Sequence, residues 1–206
     1  MSKVQDAFYK LAPHILDSEV SDDGTILFAD RRFVYFHTQM FSRLFENMED
    51  VAGPIIKRKI KSFGEDAGRQ IAANMDEEFK DINTRDALGL LKDSGFDISS
   101  VKELGKTDTL SQLHKIFGYG RYVGWIGEVE VREYQEEERL RFATPNTFES
   151  TSYGQTGDKE CKFLEGVVKG MIGYFWDTEN IISEETQCAC EGEPVCELVV
   201  TRDDGS

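Results

Sequence analysis

The stretch "KECKFLEGVVKGMIGYFW" (residues 159–176) carries two patterns at once. Phe163, Leu164, Val167, Val168, Met171, Ile172 and Phe175 recur at the spacing of one helix face, giving an apolar stripe. Gly166, Gly170 and Gly173 run on an adjoining line, where the lack of a side chain lets another backbone come close. The stretch predicts a buried helix over about residues 158–176, with Cys161 in its first turns.

On either side the apolar period changes to two. "EVEVREY" (128–134) and "ERLRFAT" (138–144) alternate strictly and meet at the charged turn "QEEE", which predicts an antiparallel hairpin. Two more strands are expected near 181–187 and 195–201, separated by the cysteine turn as a C-terminal hairpin. Upstream, "TILFADRRFVYF" (25–36) reads as two short strands about a turn at Asp30 and Arg31. From Thr38 to about Phe79 the pattern is helical: Phe41, Leu44 and Phe45, then Ile55, Ile56, Ile60 and Phe63 after a break at Gly53-Pro54. Further helices are expected over 84–96 and from 108 onward, and a helical extension interrupted by Pro13 is expected over 1–20. The sum is one α+β domain over 21–206, with helices packed on an antiparallel sheet.

Composition narrows the function classes. A chain of 206 residues with 39% hydrophobic residues and 14 Phe can bury a sizeable core, on the order of 70% of its unfolded surface. The formal charge of −15 repels phosphate backbones and anionic headgroups, so neither nucleic acid nor a membrane surface is an expected partner. No stretch has the apolar length of a membrane span, and the N-terminus lacks the pattern of a signal peptide. A cytoplasmic location is the expectation, and thiols there stay reduced. The basic run "KRKIKS" (57–62) reads as i,i+4 partners for nearby acids.

Three of the four cysteines fall in "EETQCACEGEPVCELVV" (184–200), where Gly192 and Pro194 make a tight reversal between Cys188 and Cys196. With Cys161 brought in from the helix, three thiolates and the Glu185 carboxylate would suit a structural Zn²⁺ site, which makes the expected C-terminal hairpin a zinc-bound one. Cys190 is the rival fourth donor, and Glu185 is preferred because Cys188 and Cys190 on a strand point to opposite faces. Spacing alone leaves a second reading standing, that of small buried free thiols.

The strings "GYGRYVGW" (118–125), "PNTFESTSYG" (145–154), "CKFLEGVVKG" (161–170) and "EETQCACEGEPVCE" (184–197) stand in an order and spacing that resemble the 4-vinyl reductase (V4R) domain, also called the hydrocarbon-binding domain. The same domain forms the sensory half of phenol- and xylene-responsive transcription activators. The resemblance implies zinc ligands at Cys161, Glu185, Cys188 and Cys196, with Cys190 a bystander. It also implies a fold similar to the Bet3-type subunits of vesicle-tethering complexes, a homodimer, and a pocket for a small apolar or aromatic molecule. Tyr122, Trp125, Phe142, Phe148 and Tyr153 are the candidate pocket residues, with Phe36, Phe41 and Phe45 near the first long helix. In the phenol sensors an aromatic side chain precedes the N-x-F-E turn; here Thr144 and Pro145 stand there, which points away from phenol itself.

The glycines of 118–127 lack the spacing of a dinucleotide fingerprint and lead into a strand, so a turn and close packing are their expected roles. His14, His37 and His114 are scattered without a partner pattern. No catalytic constellation is visible, and the sequence favours a zinc-containing sensor or carrier over an enzyme. The alternatives are an enzyme or accessory in tetrapyrrole vinyl reduction, and a dimeric scaffold that needs no ligand.

Overall fold

The computed structural model describes residues 18–20, 26–28, 31–33, 38–78, 96–97, 117, 120, 124–135 and 137–203. Three short strands, β1 (Ser18–Val20), β2 (Ile26–Phe28) and β3 (Arg31–Phe33), form a small antiparallel sheet in that order. Two helices follow, α1 (Thr38–Ala52) and α2 (Ile55–Glu78). Between them Gly53, at φ 66, sends its N–H to the Glu49 carbonyl and closes α1 as a left-handed cap. Pro54 then blocks continuation, so the break falls where Gly53-Pro54 predicts it.

The main sheet takes β4 (Phe96–Asp97), β5 (Val129–Gln135), β6 (Arg139–Thr144), β7 (Ile181–Gln187) and β8 (Cys196–Arg202) in the order β4-β5-β6-β8-β7. All pairs are antiparallel except β4 with β5. A short helix, α3 (Phe148–Tyr153), and the long α4 (Lys162–Phe175) lie between β6 and β7. The α+β architecture expected from the change of period is therefore present, as are both predicted hairpins.

Alternation sorts the sheet into two faces. Val129, Val131, Leu140, Phe142, Leu198 and Val200 point inward and are buried. The outer face is charged, and its centre is Glu197, which pairs with Arg132 and Arg141 and accepts from the Thr186 hydroxyl.

α4 covers the inner face, and α2 covers α4. The α2–α4 contact is backbone on backbone. A Cβ on Gly166 would collide with the Lys61 carbonyl oxygen and one on Gly170 with that of Glu65. From the other side, Gly64 abuts the Phe163 carbonyl and Gly68 that of Val167. The glycine line on α4 thus meets a second pair with the same spacing on α2.

Some expectations change. α4 begins at Lys162, and Cys161 is its N-cap residue rather than part of its first turns. Phe41 and Phe45 turn toward the core, but Leu44, Ile55 and Phe63 on the same helical spacing are 52%, 50% and 58% exposed. The basic run finds acids across helix boundaries instead of at i,i+4: Lys57 pairs with Glu49 and Glu160, and Lys61 with Glu165. Phe96, expected at the end of a helix, is in β4, and Ser18–Val20, expected in the extension, is a strand. The helices expected over 84–95 and 108–116 and the segment before residue 18 lie outside the described residues.

Gly166→Ala should force the two backbones apart, at a cost of about 1–3 kcal/mol or more. Urea denaturation checks it, and an unchanged midpoint would show that the seam has slack.

Candidate metal centre

Four elements converge at one end of the sheet. Cys161 stands at the N-terminus of α4, Glu185 near the end of β7, Cys188 at the start of a 3₁₀ turn (Ala189–Glu191) and Cys196 at the first position of β8. The ladder between β7 and β8 is irregular between Glu185 and Gln187, the kind of local defect that re-aims a side chain. Gly192, at φ 97, closes the 3₁₀ turn in a conformation that favours glycine and so allows the chain to return into β8.

One donor atom from each of Cys161, Glu185, Cys188 and Cys196 lies within 4.8 Å of every other, and all four residues are buried. Cys161 Sγ is 3.6 Å from Cys196 Sγ and 4.0 Å from Cys188 Sγ. A tetrahedral ion with Zn–S near 2.3 Å sets its sulfurs about 3.8 Å apart, so these separations match a shared cation and are far longer than a disulfide. All four cysteines are free. Cys190 is also buried, but its Sγ faces the Ser150 carbonyl at 3.8 Å, and the turn that holds it is 3₁₀ rather than strand.

Each of the four also has a hydrogen-bond partner outside the set. Cys196 Sγ accepts from the Ala189 N–H and Cys188 Sγ from the Cys190 N–H, each at 3.4 Å. Cys161 Sγ lies 3.2 Å from Thr147 Oγ1. Glu185 Oε2 accepts from the Cys161 N–H at 3.1 Å and from Lys162 Nζ at 3.4 Å. The other carboxylate oxygen, Glu185 Oε1, is buried with no partner among the described residues. Such an oxygen beside three thiols fits a cation, since an unpaired buried carboxylate oxygen is otherwise costly.

The electrostatics agree. Hydrogen bonds from Cys161 and Cys188 pull the Cys196 thiol down to about 3. The same contacts hold the Cys161 proton more tightly, so its value rises. Burial, with Cys188 adding to it, pushes Glu185 up to about 8. Without a cation the cluster resists carrying its full negative charge, and a divalent ion would lift that resistance while releasing protons.

A second buried carboxylate anchors the helix that delivers Cys161. Glu149 accepts from the Phe163 and Leu164 N–H groups, one on each oxygen, both at 2.9 Å. Together with the Cys161 N–H on Glu185, these bonds satisfy amides that a helix start leaves open. Burial pushes the Glu149 carboxyl up to about 8, with the two amides pulling the other way. Glu149 and Lys162 were not singled out by the sequence reading. "N-T-F-E" marked a turn, but nothing local shows that its acid caps a helix 14 residues on.

The candidate pocket residues divide. Trp125 and Phe142 line an apolar gap between α4 and the sheet, with Phe117, Leu164, Val168 and Met171. Its free space is about 10 Å³, room for roughly one water. Phe148 is outside that lining but packs on Trp125, Phe41 and Phe163, with ring centroids 5.6–6.3 Å apart. Tyr153 is half-buried among Glu149, Glu160, Glu46 and Glu49; burial first, and then these acids, hold its hydroxyl proton. Tyr122, Phe36, His14, His37 and His114 lie outside the described residues. Of the glycines before β5, Gly124 sits in a turn at φ 77, and Gly127 leaves space for the Asn146 side chain.

No family model matches the sequence, and no curated protein does. Solved structures do. The chain is similar to the phenol-responsive sensory domain of the transcription activator PoxR, solved with phenol, at a TM-score of 0.67 and 15% identity over 98% of this chain and 91% of that one. It is also similar to a trafficking protein particle complex subunit 3 from Naegleria fowleri, covalently bound to palmitic acid, at a TM-score of 0.52 and 7% identity over 81% and 95%. At these identities the likeness is one of fold. It joins a sensory domain and a trafficking subunit, the two kinds of relative that the expected fold implies. No described helix is long and apolar enough to cross a membrane.

With metal removed, the Glu149 contribution to stability is full below its ordinary value near 4.5 and lost as the pH rises through about 8. Glu185 acts in the same direction. Glu149→Gln should therefore flatten part of the decline in urea midpoint across that window. A wild-type slope in the variant would show that Glu149 is not the titrating group.

Proposed function

We propose that this chain is a zinc-containing protein that binds a small apolar or aromatic molecule as a sensor or carrier, and that it works as a homodimer of the V4R type. The observation that carries the metal half is the buried set of three thiols and one carboxylate, with a single carboxylate oxygen left for a cation. Three sulfurs and one oxygen suit zinc. Four protein donors leave no open position, so zinc would act as a structural tie between α4, β7 and β8. Cys161, Glu185, Cys188 and Cys196 would hold it.

The ligand half rests on the apolar gap beside Trp125, which sits between helix and sheet in a fold that carries phenol in one solved relative and palmitate in another. Seating either molecule requires the walls to move. Met171 is the most adaptable of them, because an unbranched side chain repacks at low cost. The dimer reading is supported by α1, where Met40, Leu44, Met48 and Val51 form an exposed apolar stripe continued by Ile55. The smallness of the gap favours a second reading, a scaffold that needs no ligand.

Native mass spectrometry should find a dimer carrying one zinc per chain. Stripping the metal, or Cys188→Ala, should lower the melting temperature. At a thousandfold excess over Kd a bound ion adds about 4 kcal/mol, or about 8–16 °C at this chain length. A metal-free wild type with an unchanged Cys188→Ala melt would sink the zinc assignment.

Titration calorimetry with phenol, toluene and palmitate tests the pocket. Trp125→Ala should weaken whichever binds by at least about tenfold, since it removes most of an aromatic contact surface. Absence of binding by all three would leave the scaffold reading.

A further inference from the structure

We propose that Thr147 is a positioning residue of the metal centre, and that through its hydroxyl the metal fixes the α3 turn that carries Phe148. The inference rests on the metal reading above. Thr147 is buried, and Thr147 Oγ1 stands 3.2 Å from Cys161 Sγ.

The protons around this hydroxyl can be followed. Thr147 Oγ1 accepts from the Ser150 N–H at 2.9 Å, which caps α3. Ser150 Oγ accepts from the Thr147 N–H at 2.9 Å and directs its own proton to the Thr147 carbonyl at 3.2 Å. Thr147 keeps one proton, and two acceptors lie within its reach, Ser150 Oγ at 3.1 Å and Cys161 Sγ at 3.2 Å. A metal-bound sulfur carries no proton and is a charged acceptor, so the hydroxyl hydrogen then turns to it rather than to Ser150 Oγ. The bond that caps α3 and the bond to the metal's sulfur therefore meet on one oxygen.

Neighbouring contacts make that oxygen matter. α3 has six residues, too few to hold a helical turn by itself, so outside contacts set its position. Phe148 leans on Trp125 and Phe163, Glu149 holds the first amides of α4, and the Ser150 carbonyl receives the Cys190 thiol. The same turn thus touches both the metal cluster and the aromatic wall beside the gap. Loading the metal should order the wall, and unloading it should loosen the wall.

Cobalt(II) titration of the full chain reads this out by its thiolate-to-metal absorption. Thr147→Val keeps the shape but removes the hydroxyl. It should weaken cobalt binding by about 10–100-fold, the usual cost of losing an outer partner of a metal ligand, and should shift the absorption band. Thr147→Ser should restore both. A Thr147→Val protein with wild-type affinity and spectrum overturns the proposal while leaving the metal site standing. A wild type with no thiolate–cobalt band takes down the metal reading and the proposal together.

Hydrogen exchange on the wild type needs no variant and decides the matter if Thr147→Val does not fold. Zinc should protect residues 147–154 as well as 185–198, and neither segment should respond in Cys188→Ala. Protection confined to 185–198 overturns the proposal.

Discussion

The backbone contact between α2 and α4 is the constraint on which the rest depends. Gly64 and Gly68 meet Gly166 and Gly170, and carbonyl oxygens occupy the places where side chains would be. This fixes the depth at which α4 lies on the sheet. One end of α4 then delivers Cys161 to the strands, and its stripe supplies Leu164, Val168 and Met171 to the gap over Phe142. A wider seam would move the thiol and the pocket wall at once, because both ride on a rigid helix.

Around this seam the chain manages a concentration of buried acid. Glu149, Glu165 and Glu185 are all nearly inaccessible and lie near the first turn of α4. Each has a different solution. Glu149 faces helix amides, whose partial positive charge suits a carboxylate. Glu165 lies between Lys61 and Lys162. Glu185 has Lys162 and one amide on one oxygen and no partner among the described residues on the other. Only the last, set among three thiols, keeps a buried oxygen with no partner among the described residues, and that gap in the pairing is what makes the cluster compatible with a metal ion.

The aromatic side of α4 and the thiol side are joined by α3. Its N-cap Thr147 and residues 148–150 contribute a hydroxyl at the sulfur, a ring at Trp125, a carboxylate at the helix start and a carbonyl at Cys190. The thiol–carboxylate cluster and the aromatic wall are thus neighbours in one packed layer, joined by one short turn.

What the sequence by itself determined is local. Apolar spacing specified α4, alternation specified β5 and β6, and Gly53-Pro54 specified the break between α1 and α2, because each depends on residues a few positions apart. The four donor residues and the glycine line on α4 were also legible, as residue types whose use is narrow. Tertiary structure decided what these features meet: that Gly64 and Gly68 face Gly166 and Gly170, that Lys57 and Lys61 pair across helices, that Glu149 caps α4, and that Cys190 turns to Ser150 while Glu185 faces the thiols. Period and composition record which face of an element is buried. They carry no information about the partner buried against it, which packing of distant segments alone selects.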